Sequence, residues 1–433
     1  LKALLIGGGG REHAIALSLV RSGVELVTIS PNRNPGLMRI SKRFYVREIS
    51  AEGVLNIATK SKPDYVFIGP EGPIAAGISD LLVRDSFKVF APTSNAARLE
   101  TSKSFCREFL DRNGIEGNVE SRVFTEIEKA KKYIMEEDSE IVIKPDGLTS
   151  GKGVVVQGTH FKGRDEAMKI AAEYLREKGS KLLIEKKMIG EEFSLQGFVW
   201  GKNIVFLPLV QDYKRALEGD KGPNTGGMGS ISFSTRGLPF IRKNHEEKAM
   251  DIMRNIVRKM YDEGNPYSGP IYGQFMSTAE GVKLIEINAR LGDPEAINAL
   301  ELMDESIFYA ALEMAHDHTF RPRFKEKVNV VRYVVPAGYG GEVSPSYITI
   351  NEEGLALKGL KIYFASVNST GKRLKQSRSR TLALLSEDDN LEGANNKFRD
   401  AERYIRGKYY MRRDIGTTES IERKIAFMAS LIA

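Results

Sequence analysis

Four consecutive glycines, Gly7 to Gly10 in "ALLIGGGGREHAIAL", separate a short apolar run from a stretch of helical character that starts near Arg11. A strand that breaks at glycine and turns directly into a helix opens a βα unit. The pattern repeats, with "ELVTIS", "DYVFIG" and "KVFAP" alternating with helical segments, one of them near Ile74 to Arg84, as far as Pro92. Such alternation winds a parallel sheet, so a Rossmann-like α/β domain is expected over residues 1–97. A nicotinamide dinucleotide would need G-x-G-x-x-G and an acidic residue about 20 positions on. Glu12 or His13 falls where the third glycine belongs, and the second strand ends in "TISPNRN" without a carboxylate. A dinucleotide-dependent oxidoreductase is therefore disfavoured. What remains is a glycine turn that lets a ligand approach the backbone at a helix N-terminus, which suits a phosphate or a carboxylate.

With 433 residues the chain exceeds what one core serves. A helical bridge, "SNAARLETSKSFCREFLDRNG", has a cap candidate in Ser94 and a stop at Gly114. Beyond it "EIVIKP", "GVVVQG" and "KLLIEKK" alternate with helices from Ile127 and Arg164, and "EEFSLQGFVWG", "NIVFLPLV", "IYGQFMST" and "GVKLIEIN" read as sheet. This α+β region is expected over 98–325, with a smaller flap unit at about 120–190. Short strands and turn residues then mark a mixed α+β domain over 326–433, with a helix near Leu391 to Arg406.

Composition narrows the class. Hydrophobic residues at 41% and charged residues at 28%, without a long apolar run, exclude a membrane-spanning helix. The opening strand pattern is unlike a secretory signal, and the single cysteine, Cys106, sits on a helical pattern as a core residue; both point to a cytoplasmic protein. The net charge of +7 is scattered, which suits small anionic ligands better than nucleic acid.

Three further stretches carry chemistry. "VIKPDGLTSGKGVVV" resembles a Walker-type phosphate loop only superficially: three residues separate Gly147 from Gly151, Gly153 stands where Ser or Thr belongs, and a β run follows. It suits a glycine flap between strands, with Lys144 and Lys152 over a triphosphate. "QDYKRALEGDKGPNTGGMGS" has no clear period and reads as a functional loop, with Asp212, Lys214, Asn224 and Thr225 as donors and acceptors and Gly226, Gly227 and Gly229 permitting close backbone approach. In "VKLIEINARLGDPE", Glu286, Asn288 and Arg290 alternate along an extended strand and so share a face. Two oxygen donors beside a guanidinium suit a hard divalent cation bridging phosphates, and Gln274 in "YGQFM" could add a third oxygen from the neighbouring strand.

In this order, "GGGGREHA", "GPEGPI", the lysine–glycine flap, "GPNTGGMGS" and "IEINARLGDPE" resemble the glycinamide ribonucleotide synthetase family of the ATP-grasp superfamily. The likeness covers residues 3 to about 300 and is weaker beyond, where "MRRDIG" still fits. The chain departs from the family at Leu291, where a phenylalanine is usual, and in "PAGYGGEVSPSYITI". The resemblance implies ATP-dependent ligation of glycine to 5-phosphoribosylamine through glycyl phosphate, in purine biosynthesis, by a monomer with small-molecule substrates. Another ATP-grasp carboxylate–amine ligase is the alternative.

By the same resemblance, Lys103, Lys144, Gly147, Ser150, Gly151, Lys152 and Gly153 would meet the ATP phosphates, Glu185, Lys186 and Met188 the adenine, and Glu192 the ribose hydroxyls. Gln274, Glu286 and Asn288 would hold two Mg²⁺ or Mn²⁺ ions, and Arg290 would stabilise the acyl phosphate, with Lys144 and Lys152 also catalytic. Asp212, Lys214, Pro223, Asn224, Thr225, Gly226, Gly227, Met228 and Gly229, with Arg290, Asp293 and Pro294, would frame glycine and the amine. Gly9, Gly10, Arg11 and Glu71 would hold the ribose phosphate end.

Overall fold

The computed structural model describes residues 1–148, 153–316 and 320–432. Its first sheet is parallel, with β1 (Lys2–Ile6), β2 (Glu25–Ser30), β3 (Arg43–Val46), β4 (Tyr65–Ile68) and β5 (Val89–Phe90) in the order β3-β2-β1-β4-β5. The winding reverses between β1 and β4, and ligands of open α/β sheets bind in the crevice at the carboxyl ends of such a strand pair. Gly7–Gly10 leave β1 and Gly69, Pro70 and Glu71 leave β4, so both sequence-predicted sugar-site segments rise from that crevice.

The glycines also have a packing reason. Gly7 adopts φ +128°, and a Cβ there would lie 2.5 Å from Glu12 Cγ; one on Gly69 would lie 2.1 Å from Glu12 Oε1. They clear the space into which Glu12 folds back, beneath the first turn of helix α1 (Gly10–Arg21), to accept a hydrogen bond from the Gly9 amide at 2.6 Å.

The bridge between domains is not the single helix its sequence suggests. Arg98–Thr101 and Lys103–Arg112 are separate helices, because Ser102 takes an extended conformation and its hydroxyl caps the second by accepting from the Phe105 amide at 3.2 Å. Ser94 caps no helix; its amide and hydroxyl donate to Asp80. The helix expected near 74–84 is likewise divided, at Gly77 with φ +76°, and that expected over 391–406 ends at Lys397, with a 3-10 turn at Ala401–Tyr404.

The flap unit is an antiparallel sheet in the order Ser121–Phe124, Leu182–Lys186, Ile141–Pro145, Val155–Val156, backed by helices Ile127–Glu136 and Arg164–Tyr174. Its buried residues, among them Ala130, Ile134, Ile143, Phe161, Ala171 and Ile184, form a small core separate from the large one that runs through the rest of the molecule. Beside it lies a second antiparallel sheet ordered Asn203–Phe206, Gly190–Gly201, Tyr267–Thr278, Gly281–Asn288.

The region beyond residue 325 is joined to what precedes it by backbone pairing. Gly229–Ser232 pairs antiparallel with Val328–Pro336, so a six-stranded sheet crosses the expected boundary. This region also grips the first domain. The Asn34 amide donates to the carbonyls of Gly8 at 3.0 Å and Phe364 at 2.8 Å, and Asn32 donates to the Val367 carbonyl. "TISPNRN" thus spends its polar groups on interdomain contact. His13 completes the grip: its Nδ1 accepts from the Phe364 amide at 2.9 Å, and its ring lies against Tyr363 and Phe364. Burial, with the nearby Arg39 charge, pushes this imidazole down to about 3.

A histidine kept neutral in the fold but protonated below about pH 6.5 when unfolded makes stability fall as pH drops from about 6.5 toward 3. His13→Asn should therefore flatten the difference between urea midpoints measured at pH 5 and pH 7; an undiminished difference would discount His13.

Candidate active site

Glu286, Asn288 and Arg290 do share one face. Asn288 Nδ2 donates to Glu286 Oε1 at 3.3 Å and Arg290 Nη2 donates to Asn288 Oδ1 at 3.1 Å, so the three side chains form one line. Gln274 stands opposite Glu286 in the ladder, accepts from the Tyr272 hydroxyl and donates to Glu192 Oε2 at 2.8 Å. Tyr272 also donates to Glu295 Oε1 at 2.9 Å.

Arg290 is held by two carboxylates from different parts of the chain. Glu71, at the β4 end, lies 3.3 Å from Nε, and Glu100, on helix Arg98–Thr101, lies 3.3 Å from Nη2. Burial opposes a charge here, but Glu100 and Glu71 outweigh it and raise the guanidinium's affinity for its proton. Glu71, despite its burial, is held down to about 2 by Arg290 and Arg11. Glu100 also accepts the Ala289 amide at 2.7 Å. Sequence reasoning missed this residue; the only signal was a charged position beside Leu99 on the apolar side of "RLET". Arg11 faces the same cluster, with Nε 2.6 Å from Glu12 and Nη1 3.0 Å from the Leu291 carbonyl.

On the flap side, Lys144 on its strand is buried 2.5 Å from Glu185, which also takes Arg107 at 2.8 Å. Burial alone would raise the Glu185 carboxyl, yet Arg107 and Lys144 hold it down to about 2. Lys103 donates to the carbonyls of Pro145 at 3.1 Å and Gly147 at 2.6 Å, which anchors the flap entrance to the bridge helix; burial lowers its affinity for a proton. Gly147 and Gly153 take φ +94° and +103°, backbone that favours glycine. Ser150, Gly151 and Lys152 lie outside the described residues. Lys186 ends the adjoining strand in an exposed position, followed by half-buried Met188. Glu192 is some way into the next strand, engaged by Lys214 at 2.8 Å and by Gln274.

The stretch read as a loop without period is built of short ribbons: Gln211–Asp212 pairs with Gly229–Ser232, and Arg215–Leu217 with Lys221–Asn224. The ribbons escape a period-2 reading because each is two to four residues long. Pro223 and Asn224 lie in the outer ribbon, Thr225 returns the chain by donating to the Lys214 carbonyl at 2.8 Å, and Gly226–Met228 lead back into the sheet. Gly227, with φ +107°, lies against Pro294 and the Asp293 carbonyl. Asp293 accepts from the Tyr333 hydroxyl and pairs with Arg380 at 3.1 Å, close to Gly9 and Gly10. Arg380 also donates to the Gly226 carbonyl, and fully buried Arg412 donates to the Arg215 carbonyl at 2.9 Å and to Asp220 at 3.0 Å. Both arginines come from the C-terminal region; motif reading passed over Arg380, and "MRRDIG" contains Arg412 without announcing its role.

The lysine strand, the glycine flap with its own small core and the carboxylate–amide–arginine strand define an ATP-grasp enzyme. Residues 1–100 match the model for the N domain of phosphoribosylglycinamide synthetase and residues 101–296 that for its ATP-grasp (A) domain. The chain belongs to the phosphoribosylglycinamide synthetase family. A phosphoribosylamine–glycine ligase of Pyrococcus horikoshii is 43% identical over 433 residues, which cover 100% of this chain and 98% of that one. The crystal structure of the Thermotoga maritima phosphoribosylamine–glycine ligase is similar with a TM-score of 0.81 at 28% identity, covering 96% of this chain and 100% of that one. An N5-carboxyaminoimidazole ribonucleotide synthetase of the same organism shares the fold at a TM-score of 0.65 and 18% identity, over 94% and 98% of the two chains. No described helix is long and apolar enough to cross a membrane.

Glu185→Gln would leave Lys144 and Arg107 buried beside a neutral amide. Breaking a buried pair costs about 3–5 kcal/mol, so the variant should unfold at distinctly lower urea and bind ATP more weakly; a wild-type midpoint would show that the carboxylate does not carry this cluster.

Proposed function

We propose that the chain ligates glycine to 5-phosphoribosylamine, forming glycinamide ribonucleotide, ADP and phosphate. The observation that carries this reading is the contact between Arg290, two residues past the end of the strand Gly281–Asn288, and Glu71, at the switch point of the first sheet. It brings a site suited to a sugar phosphate against a site suited to a nucleoside triphosphate.

Glycine's carboxylate is too poor an electrophile for an amine. Its oxygen therefore attacks the γ-phosphorus of ATP: the new O–P bond forms as the bond to the bridging β–γ oxygen breaks, and ADP departs. The neutral amine of phosphoribosylamine then attacks the glycyl carbonyl carbon, the C–O bond to phosphate breaks, and the nitrogen loses a proton. Little covalent work falls to the protein, whose task is positioning and charge stabilisation. Arg290, fixed by Glu71 and Glu100, faces the charge that develops on the acyl phosphate. Lys103, Lys144 and the flap residues Gly147 to Gly153, with Lys152 among them, cover the triphosphate. Glu185 to Met188 meet the adenine and Glu192 the ribose. Gly9, Gly10 and Arg11 at the start of α1 take the sugar phosphate, where helix amides and a cation favour an anion.

Among the described residues Glu286 has no cationic side chain in ion-pair contact; it accepts a hydrogen bond from the Asn288 amide. A carboxylate so placed, with amide oxygens of Asn288 and Gln274 alongside, is a hard-oxygen donor set that fits Mg²⁺ or Mn²⁺ completed by phosphate and water oxygens. Glu286 would bridge two ions, with Asn288 on one and Gln274 on the other. Bound there, the ions would neutralise triphosphate charge and polarise the transferred phosphoryl group.

ADP release should require glycine, Mg²⁺ and phosphoribosylamine generated in place, together; release that persists without glycine, or never occurs, would refute the reading. Glu286→Gln should lower kcat at least about a thousandfold while circular dichroism and the urea midpoint stay near wild type. Near-normal turnover would remove Glu286 from the ion site.

A further inference from the structure

The strand Gly281–Asn288 changes face partway along. In a regular strand Val282, Leu284, Glu286 and Asn288 would all project to one side. Here Val282 and Leu284 belong to the large core, whereas Glu286 and Asn288 line up with Arg290. The ladder shows how: Leu284 stands opposite Phe275 and Glu286 opposite its neighbour Gln274, which leaves Ile285 as an extra residue, a β-bulge. Phe275 and Gln274 project to opposite faces, so the bulge turns Glu286 away from the side of Leu284 and onto that of Gln274, and Asn288 follows, opposite Tyr272. In a regular register Ile285 would face Gln274 and Glu286 would lie on the core side.

A bulge leaves backbone groups outside the ladder, and buried ones must find partners elsewhere. Successive carbonyls of a regular strand point to opposite edges. Those of Leu284 and Ile285 both meet buried Arg107, which donates from Nη1 at 2.9 Å and from Nη2 at 2.6 Å. Beside them the Leu284 amide donates to the Gly117 carbonyl at 2.8 Å. The same guanidinium gives its Nε to Glu185 Oε1, while Glu185 Oε2 takes Lys144. A planar fork spans a carboxylate and two carbonyls together; a lysine ammonium, a point charge on a flexible stem, does not hold that geometry.

We infer that Arg107 is a positioning residue for the ion site: by holding both carbonyls of the bulge it keeps Glu286 and Asn288 turned to the face of Gln274. Through Glu185 it keeps that strand in step with Lys144 on the flap side. Arg107 touches neither ion nor substrate. The assignment rests on the ion site proposed above.

R107K tests this, because it keeps a charge beside Glu185 and loses the fork. Hydrogen exchange over residues 282–288, followed without substrate or denaturant, should quicken at least about tenfold. The dissociation constant for Mn²⁺, read from the free-ion electron paramagnetic resonance signal beside an imido-bridged ATP analogue, should rise at least about tenfold, while the KM for glycine at saturating Mn²⁺ changes less than about threefold. E185Q is the second variant: it removes the charge partner and leaves both carbonyls bonded, so exchange over 282–288 should stay within about threefold of the unaltered chain. Unchanged exchange or unchanged Mn²⁺ affinity in R107K would overturn the assignment, as would E185Q exchanging as fast as R107K. An R107K chain without a cooperative urea transition would overturn it too, by making Arg107 a support of the whole fold. Absence of glycine-dependent ADP release from the unaltered chain would overturn the ligase reading instead; the exchange arm needs no substrate and judges the hold on the bulge separately.

Discussion

The charge balance around Arg290 ties the molecule together. A largely covered guanidinium is tolerable only if anions surround it, and the two anions of Arg290 arrive from Glu71 in the first domain and Glu100 on the bridge helix. One side chain thereby fixes the carboxyl end of the parallel sheet, the entry into the ATP-grasp domain and the strand that carries Glu286 and Asn288. Glu100 reinforces this by holding the Ala289 amide, so the backbone beside Arg290 is fixed along with its side chain. The role proposed for Arg290 needs such a frame, because a guanidinium free to swing would spend reorganisation energy in the transition state.

The molecule divides mechanically along its cores. The first domain, the sheet that carries Gln274 and Glu286 and the C-terminal region share continuous buried packing, whereas the flap unit packs around its own small cluster. Rigid-body movement of a unit is inexpensive when few apolar contacts cross its boundary. What crosses here is polar: Lys103 with the carbonyls of Pro145 and Gly147, Asp146 with Ser102 and Ser104, and the Arg107–Glu185 pair. Such contacts can be exchanged for other oxygens, those of water included, without exposing core.

Residues whose chemistry is local were legible in the sequence. The βα alternation, the three-residue line from Glu286 to Arg290, the pairing of Gln274 across the ladder and the buried Cys106 all follow from periodicity or neighbouring residues. The missed features depend on partners distant in sequence. Gly10 meets Tyr333, Arg290 meets Glu100, and Arg380 meets Asp293 and Gly226; no local pattern announces these pairs. The broken bridge helix failed for another reason: Ser102 offered the backbone a capping hydrogen bond that outweighed helix continuation. The opening glycines were readable as a turn, but not as the room that Glu12 needs.

The C-terminal region matters chemically even though motif reading gave it least. It adds Val328–Pro336 to the strand that ends the ribbon of residues 211–232, and the strand Leu382–Asp388 beyond it. Its arginines then saturate the ribbon's carbonyls: Arg412 at Arg215, Arg380 at Gly226. Lys424 on the last helix, 3.0 Å from Glu191, secures the strand on which Glu192 lies. Short ribbons rich in glycine are weakly specified on their own. Their register here is imposed from outside by side chains that cannot be satisfied any other way once buried. A ribbon held at both ends is what allows Lys214 to keep its contact with Glu192, and Glu192 its contact with Gln274.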